Sequence, residues 1–251
     1  MKKDNHAISI IDRFDLESNA ATEFRRLIHN LNGAYGVKAR RADKDNDRSV
    51  GLKELSETRK KILITSAIGS EGKSTTTAFL GICSAKLKER RTLIVDCDLR
   101  RPNLHRLFSL ERNQGLAEHL TEGLSVTRIV KKTELDRLDV ITAGKRVENP
   151  AEVFDATRIG KMIDTVAGDY DFIVVDSPPV LPVSDPMLLA GEVDGVLLVV
   201  KAGETQRDVV LRARELLTGS TDHLLGVVLN NLNNSLPYYF DSGYYNYDTH
   251  G

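Results

Sequence analysis

Six short apolar runs recur from residue 61 onward: 61–66 (KILITS), 92–96 (TLIVD), 138–142 (LDVIT), 171–176 (DFIVVD), 194–200 (DGVLLVV) and 223–230 (HLLGVVLN). Their apolar character is nearly continuous rather than alternating, as expected of strands covered by helices on both faces. Helical periodicity falls between them, at 74–89, 114–121, 124–132, 157–167, 184–191 and 206–218. The alternation predicts an α/β fold, a doubly wound and mostly parallel sheet flanked by helices, whose ligands bind at the carboxyl ends of the strands. Upstream, 15–31 reads as an amphipathic helix with Phe24, Leu27, Ile28 and Leu31 on one stripe and Glu23, Arg26 and Asn30 on another. Residues 38–53 are dense in charge with little to bury, which predicts a linker. The expected division is therefore 1–55 as N-terminal helix and linker, 56–232 as the main domain, and 233–251 as a tail.

The first strand runs into Ala67-Ile68-Gly69-Ser70-Glu71-Gly72-Lys73-Ser74 and then a helix, the context in which a phosphate-binding P-loop is credible. Ala67 stands where the pattern usually has its first glycine. Such a loop turns backbone N–H groups and a helix N-terminus toward phosphate oxygens, and Gly72 lets the chain approach them closely. Gly69, Ser70, Glu71, Gly72, Lys73, Ser74 and Thr75 are thus the candidate nucleotide contacts. Lys73 is expected at the β and γ oxygens, Ser74 at Mg²⁺ and Thr75 at the α-phosphate. Asp176 closes the strand DFIVVD and is a candidate to hold a Mg²⁺ water. The strand TLIVD ends in Asp96-Cys97-Asp98-Leu99-Arg100-Arg101, so two carboxylates and two guanidinium groups reach the same edge. If the segment stays extended, Asp96 and Asp98 share a face and can address one Mg²⁺ and one incoming hydroxyl. A phenol, with a pKa near roughly 10, needs such a base or orienting acceptor. Lys73, Asp96, Asp98 and Arg100 are the candidate catalytic groups. Asn230, at the end of the last run, suits either an adenine contact or a turn.

Five of the seven tyrosines, Tyr238, Tyr239, Tyr244, Tyr245 and Tyr247, fall in the last fourteen residues. Together with an ATP-type loop they are candidate phosphate acceptors. At 251 residues the chain suits one α/β domain. A net charge of −1 with both signs interspersed offers no field for nucleic acid. MKKDNHAISI is too short in its apolar part for a signal peptide, and no apolar run approaches the roughly 18 residues of a membrane span, so a soluble intracellular protein is expected. Cys83 and Cys97 are the only cysteines and form no CxxC pair, so neither a disulfide framework nor a cysteine metal site is indicated.

The loop at 67–74, the DCDLRRP segment at 96–102, Asn149-Pro150 with Glu152, the strand and turn at 171–179, Asp185 and the tyrosine tail resemble the cytoplasmic domain of the bacterial tyrosine kinases that control capsule and exopolysaccharide synthesis. The resemblance runs from about residue 20 to the end. It implies a P-loop NTPase-type fold and an ATP- and Mg²⁺-dependent kinase that autophosphorylates its tail between subunits of a ring-like homo-oligomer. It also implies activation by an inner-membrane polysaccharide co-polymerase, a cognate tyrosine phosphatase, and a cytoplasmic protein recruited to the inner face of the membrane. It assigns the base to Asp96 and Mg²⁺ to Asp98 and Asp176 with Ser74; the residues by themselves leave the roles of Asp96 and Asp98 open. A subunit-contact pattern Glu-x-x-Arg-x-x-Arg is matched here only by Glu23 and Arg26, with His29 at the third place. The competing reading is a positioning ATPase of the cell-division and partition type, whose hallmark is a lysine at the place of Ile68. Iron–sulphur ATPases would need the missing cysteine pair.

Overall fold

The apolar runs become strands because their residues find a helix-covered face on one side or the other, except in the last run, an edge strand where Val227 and Leu229 are exposed on one face against the expected double cover. The structure, a computed structural model, describes residues 9–42 and 60–232, with side chains for 9–31 and 61–232. In chain order the strands are β1 (Lys60–Ser66), β2 (Thr92–Asp96), β3 (Val130–Lys132), β4 (Leu138–Ile141), β5 (Phe172–Asp176), β6 (Gly195–Lys201) and β7 (Leu224–Asn230). They form one sheet in the order β3-β4-β2-β5-β1-β6-β7. Every neighbouring pair is parallel except β3 with β4, which is antiparallel.

The helices are α1 (Ile10–Arg13), α2 (Asn19–Ala42), α3 (Lys73–Lys88), α4 (Leu104–Leu107), α5 (Leu116–Glu122), α6 (Val126–Ile129), α7 (Pro150–Val153), α8 (Ala156–Val166), α9 (Asp185–Leu189) and α10 (Arg207–Ser220). Side-chain alternation along each strand feeds two cores. Ile62, Ile64, Ile94, Phe172, Val174, Leu197 and Val199 pack under α3 with α1 and α2, while Leu63, Leu93, Val95, Ile173, Val175, Val196 and Leu198 pack on the opposite face with α5, α8 and α10. On the α3 face, Phe79 meets Phe14 at 5.0 Å and Phe24 at 5.6 Å between ring centroids. Ile28 and Leu31 are buried there as the amphipathic stripe predicts.

Two expectations are corrected. The segment 124–132, expected as one helix, is a single turn, α6, followed by β3. Val130 pairs with Ile141 on the otherwise open edge of β4, and Lys131 and Lys132 bind Thr142 Oγ1 and the Asp139 carboxylate, so sheet pairing wins over helical periodicity. The N-terminal helix continues to Ala42, through the first five residues of the expected linker, because Lys38, Ala39, Arg40 and Arg41 are good helix formers with no Gly or Pro among them. The tail tyrosines Tyr238, Tyr239, Tyr244, Tyr245 and Tyr247 lie outside the described residues.

Candidate nucleotide and phosphoryl-transfer site

The sheet's register brings the acidic residues together. Asp176 is the ladder partner of Ile64 in β1 and of Asp96 in β2, so two aspartates stand side by side at the carboxyl ends of neighbouring parallel strands. Both occupy the alternation position of Ile94 and Val174, which face α3. α3 begins at Lys73, directly above them, with Gly72 as its N-cap at φ 89°. No side chain caps this helix, so its first N–H groups are free for an anion.

Each side chain of the loop has a definable task. Ser74 Oγ donates to Asp176 Oδ2 at 2.6 Å, and Thr77, one turn further along α3, donates to Asp176 Oδ1 at 3.2 Å. Lys73 Nζ donates to Asp98 Oδ2 at 2.9 Å. Asp98 Oδ1 accepts the Arg101 N–H at 2.8 Å, and both Asp98 and Lys73 are largely buried. Asp96 is fully buried, with its oxygens accepting the N–H groups of Asp98 and Leu104 at 3.2 Å each. Arg100 reaches across to Asp185, Nε to Oδ2 at 3.3 Å.

Packing these carboxylates beside one ammonium perturbs Asp96, Asp176 and Lys73. Burial raises Asp96 well above the usual carboxylate range, and Asp176 and Asp98 push it the same way. Burial also pushes Asp176 up to about 6, against the restraint of Lys73 and the Ser74 hydroxyl. Burial disfavours the charge on Lys73, but Asp176, Asp98 and Asp96 more than offset it and leave its pKa raised. Such a concentration of perturbed groups marks a site rather than a stabilising core.

Gly69, Ser70, Gly72, Lys73, Ser74, Thr75, Asp98 and Arg100 line one open cavity of about 1220 Å³. Asp96 and Asp176 sit beneath that wall. Two expected contacts face elsewhere. The Glu71 carboxylate, only 1 % exposed, accepts from Ile68 N at 2.8 Å, Lys201 N at 3.2 Å and Thr205 Oγ1 at 2.6 Å. It braces the loop against β6 and leaves only its backbone for phosphate. Asn230 donates Nδ2 to the Glu71 carbonyl at 2.9 Å and accepts from Asn231 N at 2.9 Å, so its carboxamide holds the loop and its own turn rather than lining the cavity. Sequence reading missed Thr77 as the second hydroxyl on Asp176, although its place three residues after Ser74, on the same helical face, could have signalled it.

The donor set fits a nucleoside triphosphate with Mg²⁺. Among the described residues no group of three or more His, Cys, Asp or Glu is arranged to hold a metal unaided. One hydroxyl and two carboxylates, from Ser74, Asp98 and Asp176, suit Mg²⁺, which keeps several waters and takes one or two carboxylates plus phosphate oxygens. Ser74, Asp98 and Asp176 are the residues that would hold it.

A parallel sheet with this loop at its carboxyl edge defines a P-loop nucleotide-binding protein, and the AAA domain family matches residues 59–205. The chain is 34% identical over 186 residues to the tyrosine-protein kinase YwqD of Bacillus subtilis (strain 168), covering 74% of this chain and 77% of that one. The crystal structure of the chimerical protein CapA2B2 matches with a TM-score of 0.72 and 31% identity over 88% of each chain. The chain belongs to the bacterial tyrosine-protein kinases. The septum site-determining protein MinD of Pyrococcus horikoshii OT3 shares the fold, with a TM-score of 0.62 and 23% identity over 71% of this chain and 72% of its own.

Proposed function

We propose that this chain is an ATP- and Mg²⁺-dependent autokinase that phosphorylates its own C-terminal tyrosines, Tyr238, Tyr239, Tyr244, Tyr245 and Tyr247, between subunits of a ring-like homo-oligomer. The observation that carries it is the meeting of Lys73, Asp96, Asp98 and Asp176 at one strand edge under the N-terminus of α3. In the transfer, the phenol oxygen bonds to the γ-phosphorus, the bond to the β–γ bridging oxygen breaks, and ADP leaves. The phenol proton passes to an aspartate. Bound Mg²⁺ would supply charge neutralisation across the β and γ oxygens. Lys73 adds its ammonium to the same oxygens, the α3 N–H groups orient them, and Ser74, Asp98 and Asp176 would hold the metal. Arg100, anchored by Asp185, reaches the cavity with its guanidinium. Asp96, the base that the family resemblance assigns, takes the phenol proton. It lies behind the Asp98 to Leu104 backbone, so that segment must shift for a phenol to reach it.

The reading extends to biology through the family. An inner-membrane polysaccharide co-polymerase activates the kinase, a cognate tyrosine phosphatase reverses the modification, and the cytoplasmic protein is recruited to the inner face of the membrane, where capsule or exopolysaccharide synthesis is controlled. Among the described residues no helix is long and apolar enough to cross a membrane. Exposed Glu23, Arg26 and His29 on α2 offer a subunit contact. The positioning ATPase shares only the fold, and Ile68 leaves the place of its second lysine without a cation. The test is phosphotyrosine after incubation with Mg-ATP. Wild type should label, Lys73→Met should not, and replacing all five tail tyrosines by Phe should remove most label while ATP still binds. An unlabelled wild type, with an activating membrane fragment supplied, would sink the reading.

A further inference from the structure

The cavity is larger than the roughly 300–1,000 Å³ that serves most small ligands, at about 1220 Å³. Its extra wall is basic. Arg101, Arg106, Arg112 and Arg146 line it on the side of the loops that follow β2 and β4, the side on which Asp98 lies. Among the described residues none of these four guanidinium groups has a carboxylate within ion-pair distance, and Glu148 is the one acid beside them on the rim apart from Asp98, which is taken up by Lys73.

This wall is built rather than incidental. Buried Glu118 accepts the N–H groups of Gln114 and Gly115 at 3.0 Å and of Lys145 at 3.1 Å, tying the loop that carries Arg112 to the loop that carries Arg146. Burial works against its charge, but those N–H groups outweigh it and hold Glu118 below the usual range. Arg112 Nε donates to the Gly144 carbonyl at 2.7 Å, and Thr142 Oγ1 donates to the Arg112 carbonyl at 2.9 Å. Gly144, at φ 86°, has no room for a side chain: a Cβ would stand 2.1 Å from Glu118 Oε2. The positive field of the wall also reaches His105, lowered by burial and then by Arg112, Arg106 and Lys131.

An anionic occupant is available in the chain itself. Residues 233–251 carry Asp241 and Asp248 among the five tyrosines and contain no Lys or Arg. They follow β7, whose end at Asn230 lies at the same carboxyl edge of the sheet. Asp241 lies eleven positions after Asn230. Fully extended that stretch spans up to roughly 40 Å, and Asn230 already touches the loop that opens onto this cavity.

We propose that Arg101, Arg106, Arg112 and Arg146 form an acceptor-side anion subsite that binds the Asp241 and Asp248 carboxylates of the tail and, after a first transfer, its phosphotyrosine. Arginine's planar fork suits both groups, and phosphate is the stronger partner. One modification therefore favours the next: a singly phosphorylated tail is a better substrate than an unmodified one. The inference rests on the kinase reading for its purpose but not for its measurement.

Fluorescently labelled peptides spanning 235–251 are titrated onto the full chain: unmodified, phosphorylated at Tyr247, and with Asp241→Asn and Asp248→Asn together. Against wild type the phosphorylated peptide should bind tightest and the Asn peptide weakest. The Arg106→Gln/Arg146→Gln protein replaces two exposed side chains, and an unchanged thermal midpoint checks its fold. It should bind the unmodified and phosphorylated peptides roughly tenfold more weakly, leave the Asn peptide nearly unaffected, and keep its affinity for Mg-ATP. Equal binding of all peptides by wild type, equal weakening of all three by the variant, or a loss confined to Mg-ATP would each overturn the subsite. Absence of phosphotyrosine in a parallel kinase assay would count against the kinase reading alone, because peptide binding needs no transfer.

Discussion

Asp176→Asn should make the nucleotide-free protein more stable while disabling it. Burial holds the Asp176 carboxyl at about 6 in the folded chain against 3.8 for the free side chain, and that gap corresponds to about 3 kcal/mol. The folded value is the higher one, so the neutral form is the stabilising form. Its benefit is complete below the unfolded value and is lost as pH rises through about 6. At pH 8 the wild-type chain carries the full cost of a buried charge, and the neutral carboxamide removes it. The hydroxyls of Ser74 and Thr77, both free to rotate, can still satisfy Asn at this position. Urea unfolding in EDTA without nucleotide should therefore show Asp176→Asn more stable than wild type by about 3 kcal/mol at pH 8, a midpoint shift of roughly 1 M or more. The gain should shrink at pH 5. Calorimetry with Mg-ATP should show its metal-dependent binding lost. A variant no more stable than wild type at pH 8, or equally stabilised at both pH values, would refute the argument that the site is held under electrostatic load.

Glu71→Ala strips three donors of their buried acceptor and should cost about 2–4 kcal/mol in urea unfolding; a cost under about 1 kcal/mol would show that the loop does not depend on this brace. Gly72→Ala demands φ 89° of an L-residue and sets a Cβ 2.1 Å from Asn230 Nδ2, so ATP affinity should fall at least about tenfold, and adding Asn230→Ala should restore only part of it because the backbone strain remains. Tyr170 is 8 % exposed, and its phenol donates to Asp139 at 2.7 Å. Burial and then Asp139 raise its pKa, so Tyr170→Phe should leave total phosphotyrosine unchanged; a drop in label would make it an acceptor.

The six apolar runs, the loop at 67–74 and the acidic strand ends were legible along the chain because each depends on neighbours in sequence: a run buried on both faces, a turn that needs glycine, a carboxylate closing a strand. That is why β1, β2 and β5 fall within a residue of their expected bounds. β3 was not legible, because three residues at 130–132 become a strand only when the edge of β4 lies beside them. The inward turn of Glu71 and the engagement of Asn230 depend on β6 and β7 closing against the loop, contacts that span more than a hundred residues. The arginine wall was hidden for the same reason: Arg106, Arg112 and Arg146 are ordinary surface residues in sequence, and only the fold, with Glu118 joining the loops of Arg112 and Arg146, brings them to one cavity. By itself, then, the sequence determined six of the seven strands, the phosphate loop and the identity of the acids. Tertiary structure alone decided which acids face the cavity, which are sealed behind it and which brace the loop, because burial and charge proximity are properties of strand order and register, and no local pattern encodes them.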